Sequence, residues 1–87
     1  MTKSALIKKY KNLFWYFDGS KLNSMSDDVL VEFILNYGSW QSFKDLIETM
    51  GLSNVERRFN MLRSKKRTNL LHEVSRFFHL YFKHHAS

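Results

Sequence analysis

The chain contains no cysteine, no proline and only three glycines among its 87 residues. Without cysteine there can be no disulfide framework and no zinc site built on thiolates. Because proline and glycine are the residues that most often interrupt helices, their scarcity favours helices joined by short turns. No apolar run approaches the roughly 20 residues needed to span a bilayer, and the basic N-terminus lacks the apolar core of a signal peptide. These absences predict a cytoplasmic protein that does not enter the membrane.

Aromatic residues are plentiful: eight Phe, four Tyr and two Trp make up 16% of the chain. Such a composition is typical of a folded protein and not of a disordered one. A chain this short forms one domain and buries only about 60–65% of its unfolded surface, so it needs its large apolar side chains in the core. We expect a basic N-terminal segment at 1–12 that could be flexible, a single helical domain at 13–83 and a frayed C-terminus at 84–87.

Two amphipathic helices are predicted in the middle of the chain. Residues 24–28 supply capping and acidic side chains that begin a helix, and Gly38 ends it as a left-handed cap. The apolar face of this helix has the spacing i, i+3, i+4 and i+7: Leu30, Phe33, Ile34 and Tyr37. Ser39 or Ser42 begins the next helix, and Gly51 ends it. Its apolar face is formed by Phe43, Leu46, Ile47 and Met50.

Two further helices are predicted in the second half. Ser53 and Glu56 have the spacing of a capping box, which would begin a third helix. The buried face of that helix is Val55, Phe59 and Leu62. Ser64 or Thr68 begins a longer last helix, with an apolar stripe formed by Leu70, Leu71, Val74, Phe77, Phe78, Tyr81 and Phe82. The chain as a whole predicts a compact, all-α single domain of four to five helices.

The net charge of +6 lies in the second half of the chain. Residues 1–51 contain six lysines and six acidic residues, whereas residues 52–87 contain eight basic residues and only two acidic ones. Such a field attracts polyanions and accelerates their binding. The expected partner is therefore a nucleic acid, DNA ahead of RNA, or an acidic protein.

A helix-turn-helix is the more specific prediction for residues 43–63. The helix at 43–50, the turn at 51–53 and the basic helix at 54–63 have about the lengths of a DNA-reading pair. Arg and Asn read guanine and adenine edges, and Lys and Arg contact phosphates without special geometry. The alternative is a plain helical hairpin with a solvated basic face. The nucleic-acid contacts are assigned to Arg57, Asn60, Arg63, Lys65, Lys66 and Arg67.

Four aromatic residues of the first half are candidates for a partner-binding patch: Trp15, Tyr16, Tyr37 and Trp40. Trp and Tyr side chains often dominate the binding energy of protein interfaces. The alternative is that most of these side chains lie in the core. A chain with so many aromatic residues could also form a homodimer, although no pattern in the sequence requires one.

The last helix also has a polar stripe, formed by His72, Arg76, His79 and Lys83. This stripe would extend the basic surface, more strongly below about pH 6.5, where histidine gains charge. Since His72 and His79 lie about 10 Å apart along a helix, the stripe is a poor metal site, and no cofactor is predicted. Arg67 and His72 resemble the Arg–His motif of HEPN-type ribonucleases, with His as acid or base and Arg on the phosphate. That reading is kept only as a remote alternative, and no catalytic residue is assigned.

One family resemblance extends over residues 13–82. Three stretches carry it: Leu13-Phe14-Trp15 followed by Asp18, Tyr37-Gly38-Ser39-Trp40, and Arg63-Ser64-Lys65-Lys66-Arg67-Thr68. The chain resembles an uncharacterised family of small, all-helical proteins from Bacteroides-type bacteria, whose members are often encoded beside nucleotidyltransferase-type toxins. The resemblance implies a non-enzymatic, antitoxin-like role. Tyr16 and Ser39 stand where the family has acidic residues, which puts any acidic contact surface of the family in doubt.

Overall fold

A computed structural model describes residues 1–14, 25–65 and 68–85 of the chain. These residues form five α-helices and, after the first of them, one turn of 3-10 helix at Lys11–Phe14. The α-helices are α1 (Lys3–Lys9), α2 (Asp27–Tyr37), α3 (Trp40–Met50), α4 (Leu52–Ser64) and α5 (His72–His85). The three described ranges contain no β-strand, and the predicted all-α class with four to five helices is confirmed.

All five helices contribute side chains to one hydrophobic core with an aromatic centre. Phe43 of α3 contacts Phe78 of α5 at a ring-centroid distance of 4.8 Å. Phe59 of α4 contacts Phe82 of α5 at 5.2 Å. Since burying one such ring contributes on the order of 2–3 kcal/mol, these contacts fix α5 against α3 and α4. The buried face predicted for α4 is confirmed at Val55, Phe59 and Leu62.

Serine caps begin two of the helices, as the sequence predicts. The hydroxyl of Ser26 accepts a hydrogen bond from the backbone N–H of Val29 at 3.2 Å, and α2 begins with the acidic pair Asp27 and Asp28. Of the two serines considered for α3, Ser39 is the cap, because its hydroxyl accepts the backbone N–H of Ser42 at 3.2 Å. Each of these bonds satisfies one backbone donor that the first helical turn leaves unpaired.

The predicted left-handed cap at Gly38 is wrong, because the φ angle of this residue is −81° and its backbone is extended. Glycine is nevertheless the residue that fits. A Cβ atom at this position would collide with Oγ of Ser42 and would lie 2.6 Å from the carbonyl oxygen of Ile34. The tight passage from α2 into α3 therefore depends on the absence of a side chain, and not on an unusual backbone angle.

Gly51 has the positive φ angle, +85°, and it both ends α3 and begins α4. The predicted capping box of Ser53 and Glu56 is wrong, because α4 begins at Leu52 and both residues lie inside the helix. No side chain caps this helix start. The conformational freedom of glycine lets one residue turn the chain between the two helices, which leaves no room for a separate cap.

α1 lies in the segment that the sequence predicts as a basic extension before residue 13, yet it contributes to the core. Leu6 and Ile7 of α1 are buried in the core at 0% and 3% exposure. The hydroxyl of Thr2 caps the helix by accepting the N–H of Ala5 at 3.1 Å. The sequence has few apolar residues here, but in a helix of only seven residues the adjacent pair Leu6 and Ile7 is enough to pack α1 on the core.

The last described residues of the chain belong to α5. α5 continues to His85, whose ring stacks on that of Tyr81 at 4.5 Å, so His84 and His85 are helical rather than frayed. Residues 86–87 lie outside the described residues. Within the described part, none of the helices combines the length and the apolar character needed to cross a membrane.

Candidate nucleic-acid interface

The basic parts of α4 and α5 meet where Arg63 approaches His79. A guanidinium nitrogen of Arg63, Nη1, donates a hydrogen bond to Nδ1 of His79. A guanidinium can only donate, so Nδ1 of His79 accepts in this contact. Since the aromatic contacts of Phe59 fix the two helices beneath this pair, the head group of Arg63 is held in place above them.

A cationic cleft of about 450 Å³ opens beside this pair. We define the cationic cleft by its lining: Arg63, Thr68, Leu70, His72, Ser75, Arg76 and His79. Its lining contains two guanidinium groups, two imidazoles and two hydroxyls, but no carboxylate. The volume lies in the range of about 300–1,000 Å³ that is usual for small-ligand sites. Such a set of donors suits an anionic oxygen ligand, which both guanidinium groups attract.

A smaller hollow of about 120 Å³ is also lined by residues of α4 and α5. Glu56, Asn60 and Lys83 provide its polar lining, together with the rings of Phe59 and Phe82. His79 contributes to the lining of both hollows. Only this smaller hollow has an acidic residue in its lining.

The connection that leads into α5 is held by an asparagine of α2. The side-chain amide of Asn36 donates to the carbonyl oxygen of Asn69 at 2.9 Å and accepts the N–H of Leu71 at 3.0 Å. The hydroxyl of Thr68 accepts the N–H of Leu70 at 3.2 Å. These three bonds fix residues 68–71 beside α2 and thereby hold Thr68 at the rim of the cleft. Asn36 lies on a predicted helix, but nothing in the sequence indicates that its side chain bonds to residues more than thirty positions away.

The structure brings together only part of the predicted nucleic-acid site. Arg63 lines the cationic cleft and Asn60 lines the smaller hollow. Lys65 is exposed directly after α4. Arg57 is also exposed, but it lies outside both hollows and donates a hydrogen bond to the side chain of Asn54 at 2.9 Å. The remaining two predicted residues, Lys66 and Arg67, lie outside the described residues.

Three cleft residues of α5 come from the predicted polar stripe, and two hydroxyl residues do not. The stripe supplies His72, Arg76 and His79. Sequence reasoning missed Thr68 and Ser75, because a hydroxyl in a connection or on a helix is too common to indicate a binding site. Their position in the cleft becomes evident only when α4 and α5 are packed together.

Arg58, the neighbour of Arg57, is committed to the fold. It donates to Asp28 at 2.9 Å and lies 3.3 Å from Asp27, so it joins α4 to the beginning of α2. Lys3 reaches Asp27 as well, at 2.8 Å. Two cations thus surround the acidic first turn of α2, and Arg58 contributes nothing to the cationic cleft.

The joint between α3 and α4 differs from the predicted helix-turn-helix. Gly51 alone separates the two helices, whereas the DNA-reading motif has a turn of about three to four residues. The turn predicted at 51–53 is wrong for its last two positions, because Leu52 and Ser53 are helical. The polar face of α4 is accessible, since Arg57, Asn60 and Arg63 are exposed. Its use for reading DNA remains a prediction.

Two of the four aromatic candidates for partner binding are half exposed. Tyr37 is 55% and Trp40 is 50% exposed. The Trp40 ring packs on Phe43 at 5.2 Å and on Tyr81 at 5.6 Å, so one side of it is held by the core and the other faces solvent. Trp15 and Tyr16 lie outside the described residues. Partner binding by these side chains therefore stays a prediction.

The polar stripe of α5 was expected to be a poor metal site, and catalysis by Arg67 and His72 was only a remote alternative. Within the described ranges, no three His, Asp or Glu side chains group as a metal ion would require. His72 lies in the lining of the cleft, but Arg67, its partner in the ribonuclease-like alternative, lies outside the described residues. That alternative stays a prediction.

Comparison with known proteins identifies no relative. No protein-family model, no curated protein and no solved structure matches this chain. The resemblance to small bacterial helical proteins encoded beside toxins is therefore neither supported nor contradicted. The molecule is a small, basic, all-α protein with a cationic cleft, and its function has to be inferred from these side chains.

Proposed function

We propose that this protein is a non-enzymatic nucleic-acid-binding module that holds backbone phosphates in the cationic cleft. One observation supports the proposal above the others: Arg63, Arg76, His72 and His79 converge on a cleft whose lining has no carboxylate. A cation that is needed for folding is usually paired with an acid, and these two arginines are not paired with one in the described part of the chain. Phosphate oxygens would supply the missing negative charge.

The physical basis of binding would be electrostatic. The excess of positive charge in residues 52–87 attracts a polyanion over a distance of about one Debye length, roughly 8–10 Å at physiological salt. Each phosphate that is neutralised releases condensed counterions, so affinity falls as salt rises. Because His79 already orients Arg63, less side-chain freedom is lost when a phosphate binds. The hydroxyls of Thr68 and Ser75 add neutral donors to the same cleft.

The finer parts of the proposal rest on the sequence. Arg57 and Asn60 on the exposed side of α4 could read base edges in duplex DNA, which is why DNA is placed ahead of RNA. The resemblance to toxin-associated proteins suggests an antitoxin-like or regulatory role in the cytoplasm. A protein adaptor that docks its basic surface on an acidic partner is the second candidate. The half-exposed side chains of Tyr37 and Trp40 are the observation that favours it.

A pair of double variants with equal charge change tests the use of the cleft. R63A/R76A removes both guanidinium groups of the cleft, whereas K8A/K44A removes two exposed lysines of α1 and α3. Fluorescence anisotropy with duplex DNA and with single-stranded RNA, at several salt concentrations, gives the affinity and its salt dependence. We expect R63A/R76A to reduce the slope of log K against log salt by about 1–2, and K8A/K44A to change it by much less.

Two results would count against the proposal. Equal losses in both double variants would mean that the charge acts without a site, so the cleft would have no special part in binding. No binding of the unmodified protein to either nucleic acid at low salt would exclude the nucleic-acid role. The adaptor alternative would then be tested by isolating an acidic protein that R63A/R76A fails to bind.

A further inference from the structure

α5 has a third face that is apolar and yet exposed. Phe78 and Phe82 point into the core, but Phe77 is 54% and Leu80 is 49% exposed. Glu73 and His84, both exposed, lie one turn before and one turn after this pair. We call these four residues, Glu73, Phe77, Leu80 and His84, the α5 seam. Phe77 and Leu80 are three residues apart and therefore adjacent on the helix surface, so they form one small exposed apolar surface.

The spacing of the seam is that of a coiled coil. The four residues follow one another at intervals of four, three and four, which is the alternation that keeps a narrow stripe on one side of a helix. At about 100° per residue, the centre of the seam lies about 150° from the buried face and about 100° from the polar stripe of His72, Arg76, His79 and Lys83. The seam is thus distinct from both the core and the cationic cleft.

The seam is also self-complementary. Its residues are placed symmetrically about the midpoint between Phe78 and His79, so Phe77 corresponds to Leu80 and Glu73 corresponds to His84. In a two-fold interface, if one residue contacts a second residue of the other copy, the reverse contact must exist too. An antiparallel pair of α5 helices satisfies this condition at every position of the seam.

We propose that a second copy of this chain packs antiparallel on the α5 seam to form a symmetric dimer. Phe77 would lie against the partner's Leu80, and Glu73 would face the partner's His84. A parallel pair would instead place Glu73 opposite the partner's Glu73, with like charges facing each other. Among the seam residues, the facing pair of Glu73 and His84 therefore favours the antiparallel arrangement. The half-exposed ring of Trp40, which contacts Tyr81, would extend the apolar surface at the side of the seam.

The available surface sets the expected strength of this dimer. A stable interface buries about 800 Å² on each subunit, whereas Phe77, Leu80 and Trp40 each have only about half of their surface to contribute. We therefore expect a weak dimer whose population rises with protein concentration. Because the seam and the cationic cleft lie on different faces of α5, each dimer would present two clefts, and dimerisation does not depend on the proposed function.

Cysteine cross-linking tests both the face and the direction, and the chain has no cysteine of its own to interfere. The double variant E73C/H84C should form a covalent dimer on mild oxidation, because each introduced thiol would face its counterpart in the other copy. Within one chain the two positions lie about 16 Å apart along the helix, too far for an internal disulfide. The single variants E73C and H84C should not cross-link, since each thiol would face an unmodified side chain.

Efficient cross-linking of either single variant would overturn the antiparallel arrangement, because it requires like positions to meet. A double variant that stays monomeric would overturn the seam as an interface. An independent check needs no cysteine: sedimentation equilibrium of F77D should show a dimer dissociation constant raised by more than roughly tenfold, because a carboxylate would be buried in the seam. The control M61D changes a half-exposed apolar residue of α4 outside the seam, and equal weakening by both variants would contradict the proposal.

Discussion

The surroundings of α1 and the cationic cleft beside α4 and α5 use their cations in opposite ways. In the first half, Lys3 pairs with Asp27 and Lys9 pairs with Asp45, each at 2.8 Å, and both pairs join α1 to a later helix. In the second half, Arg63 and Arg76 line a cleft with no carboxylate. The difference teaches that a count of basic residues says little about a binding surface. What matters is whether the fold has already given each cation an acidic partner.

Asp45 is the clearest case of charge used for folding. This carboxylate of α3 is 6% exposed and accepts hydrogen bonds from Lys9, from the hydroxyl of Tyr10 and, at 3.2 Å, from Gln41. The bond from Lys9, followed by that from Tyr10, lowers the pKa of Asp45 to about 2. The same carboxylate raises the pKa of Lys9, and burial, followed by the bond to Asp45, raises the pKa of Tyr10.

The neighbouring residues Arg57 and Arg58 allow a direct comparison of a cation that bonds to a neutral side chain with one that bonds to carboxylates. The largest change in stability is expected at Arg58. R58A would remove the bridge from α4 to Asp27 and Asp28 and leave two partly buried carboxylates without it. We expect the free energy of unfolding to fall by about 1–3 kcal/mol. R57A removes an exposed guanidinium that is bonded to Asn54 one turn earlier on the same helix, so we expect a change within about 0.5 kcal/mol.

Urea unfolding followed by circular dichroism would measure both variants. Equal effects of R58A and R57A would break the distinction between cations that hold the fold and cations that do not.

Acid should lower the stability of the protein by protonating carboxylates of the first half of the chain. We expect this loss of stability to be small near neutral pH and to grow below about pH 4. The folded-state pKa of Asp45 is lowered, so its contribution is present above the ordinary value of 3.8 and is lost as the pH falls towards about 2. The lowered pKa of Asp27, caused first by the bond from Lys3, acts in the same direction. For Lys9 and Tyr10 the sign is reversed: their raised pKa values mean that stabilisation is lost only as the pH rises above about 10.

Thermal melts of the unmodified protein and of D45N between pH 2 and pH 7 would measure this effect. D45N should have a lower Tm at pH 7, because it lacks the carboxylate that binds Lys9 and Tyr10. Its Tm should fall less steeply below pH 4, because only Asp27 of these two groups still titrates. Parallel curves for the two proteins would contradict the role of Asp45.

The smallest expected effect concerns the cleft itself. R63A/R76A should leave the free energy of unfolding within about 0.5 kcal/mol of the unmodified value, because neither arginine is paired with a carboxylate in the described part of the chain. Chemical unfolding of this variant would measure it. A loss of several kcal/mol would mean that the cleft arginines hold the fold, and the contrast between the two regions would disappear.

Local signals in the sequence were enough for much of the fold. The caps at Ser26 and Ser39 and the buried face of α4 depend on residues within one or two turns, and they are confirmed. The N-terminal helix was missed because only Leu6 and Ile7 reach the core, and two apolar residues establish no period. The sequence predicts that α3 ends at Gly51, and it does. Because Gly51 has a positive φ angle, α4 begins at the next residue, and the predicted capping box does not form.

The candidate site was less accessible to sequence reasoning. Arg63 and the stripe on α5 were recognised separately, yet their meeting depends on how Phe59 packs between Phe78 and Phe82. The difference between Arg57 and Arg58 also could not be predicted, because it depends on Asp27 and Asp28, about thirty residues away in the chain. Long-range pairing decides which cations stay available, and a single sequence does not reveal it.

The central claim is that the two arginines of the cationic cleft, Arg63 and Arg76, remain available for phosphate, and one titration tests it most directly. Fluorescence anisotropy of the unmodified protein with duplex DNA and with single-stranded RNA would be compared at about 50 and 200 mM salt. We predict micromolar or tighter binding at the lower salt that weakens steeply at the higher salt. Absence of binding to both nucleic acids at low salt, or binding that does not change with salt, would contradict the account.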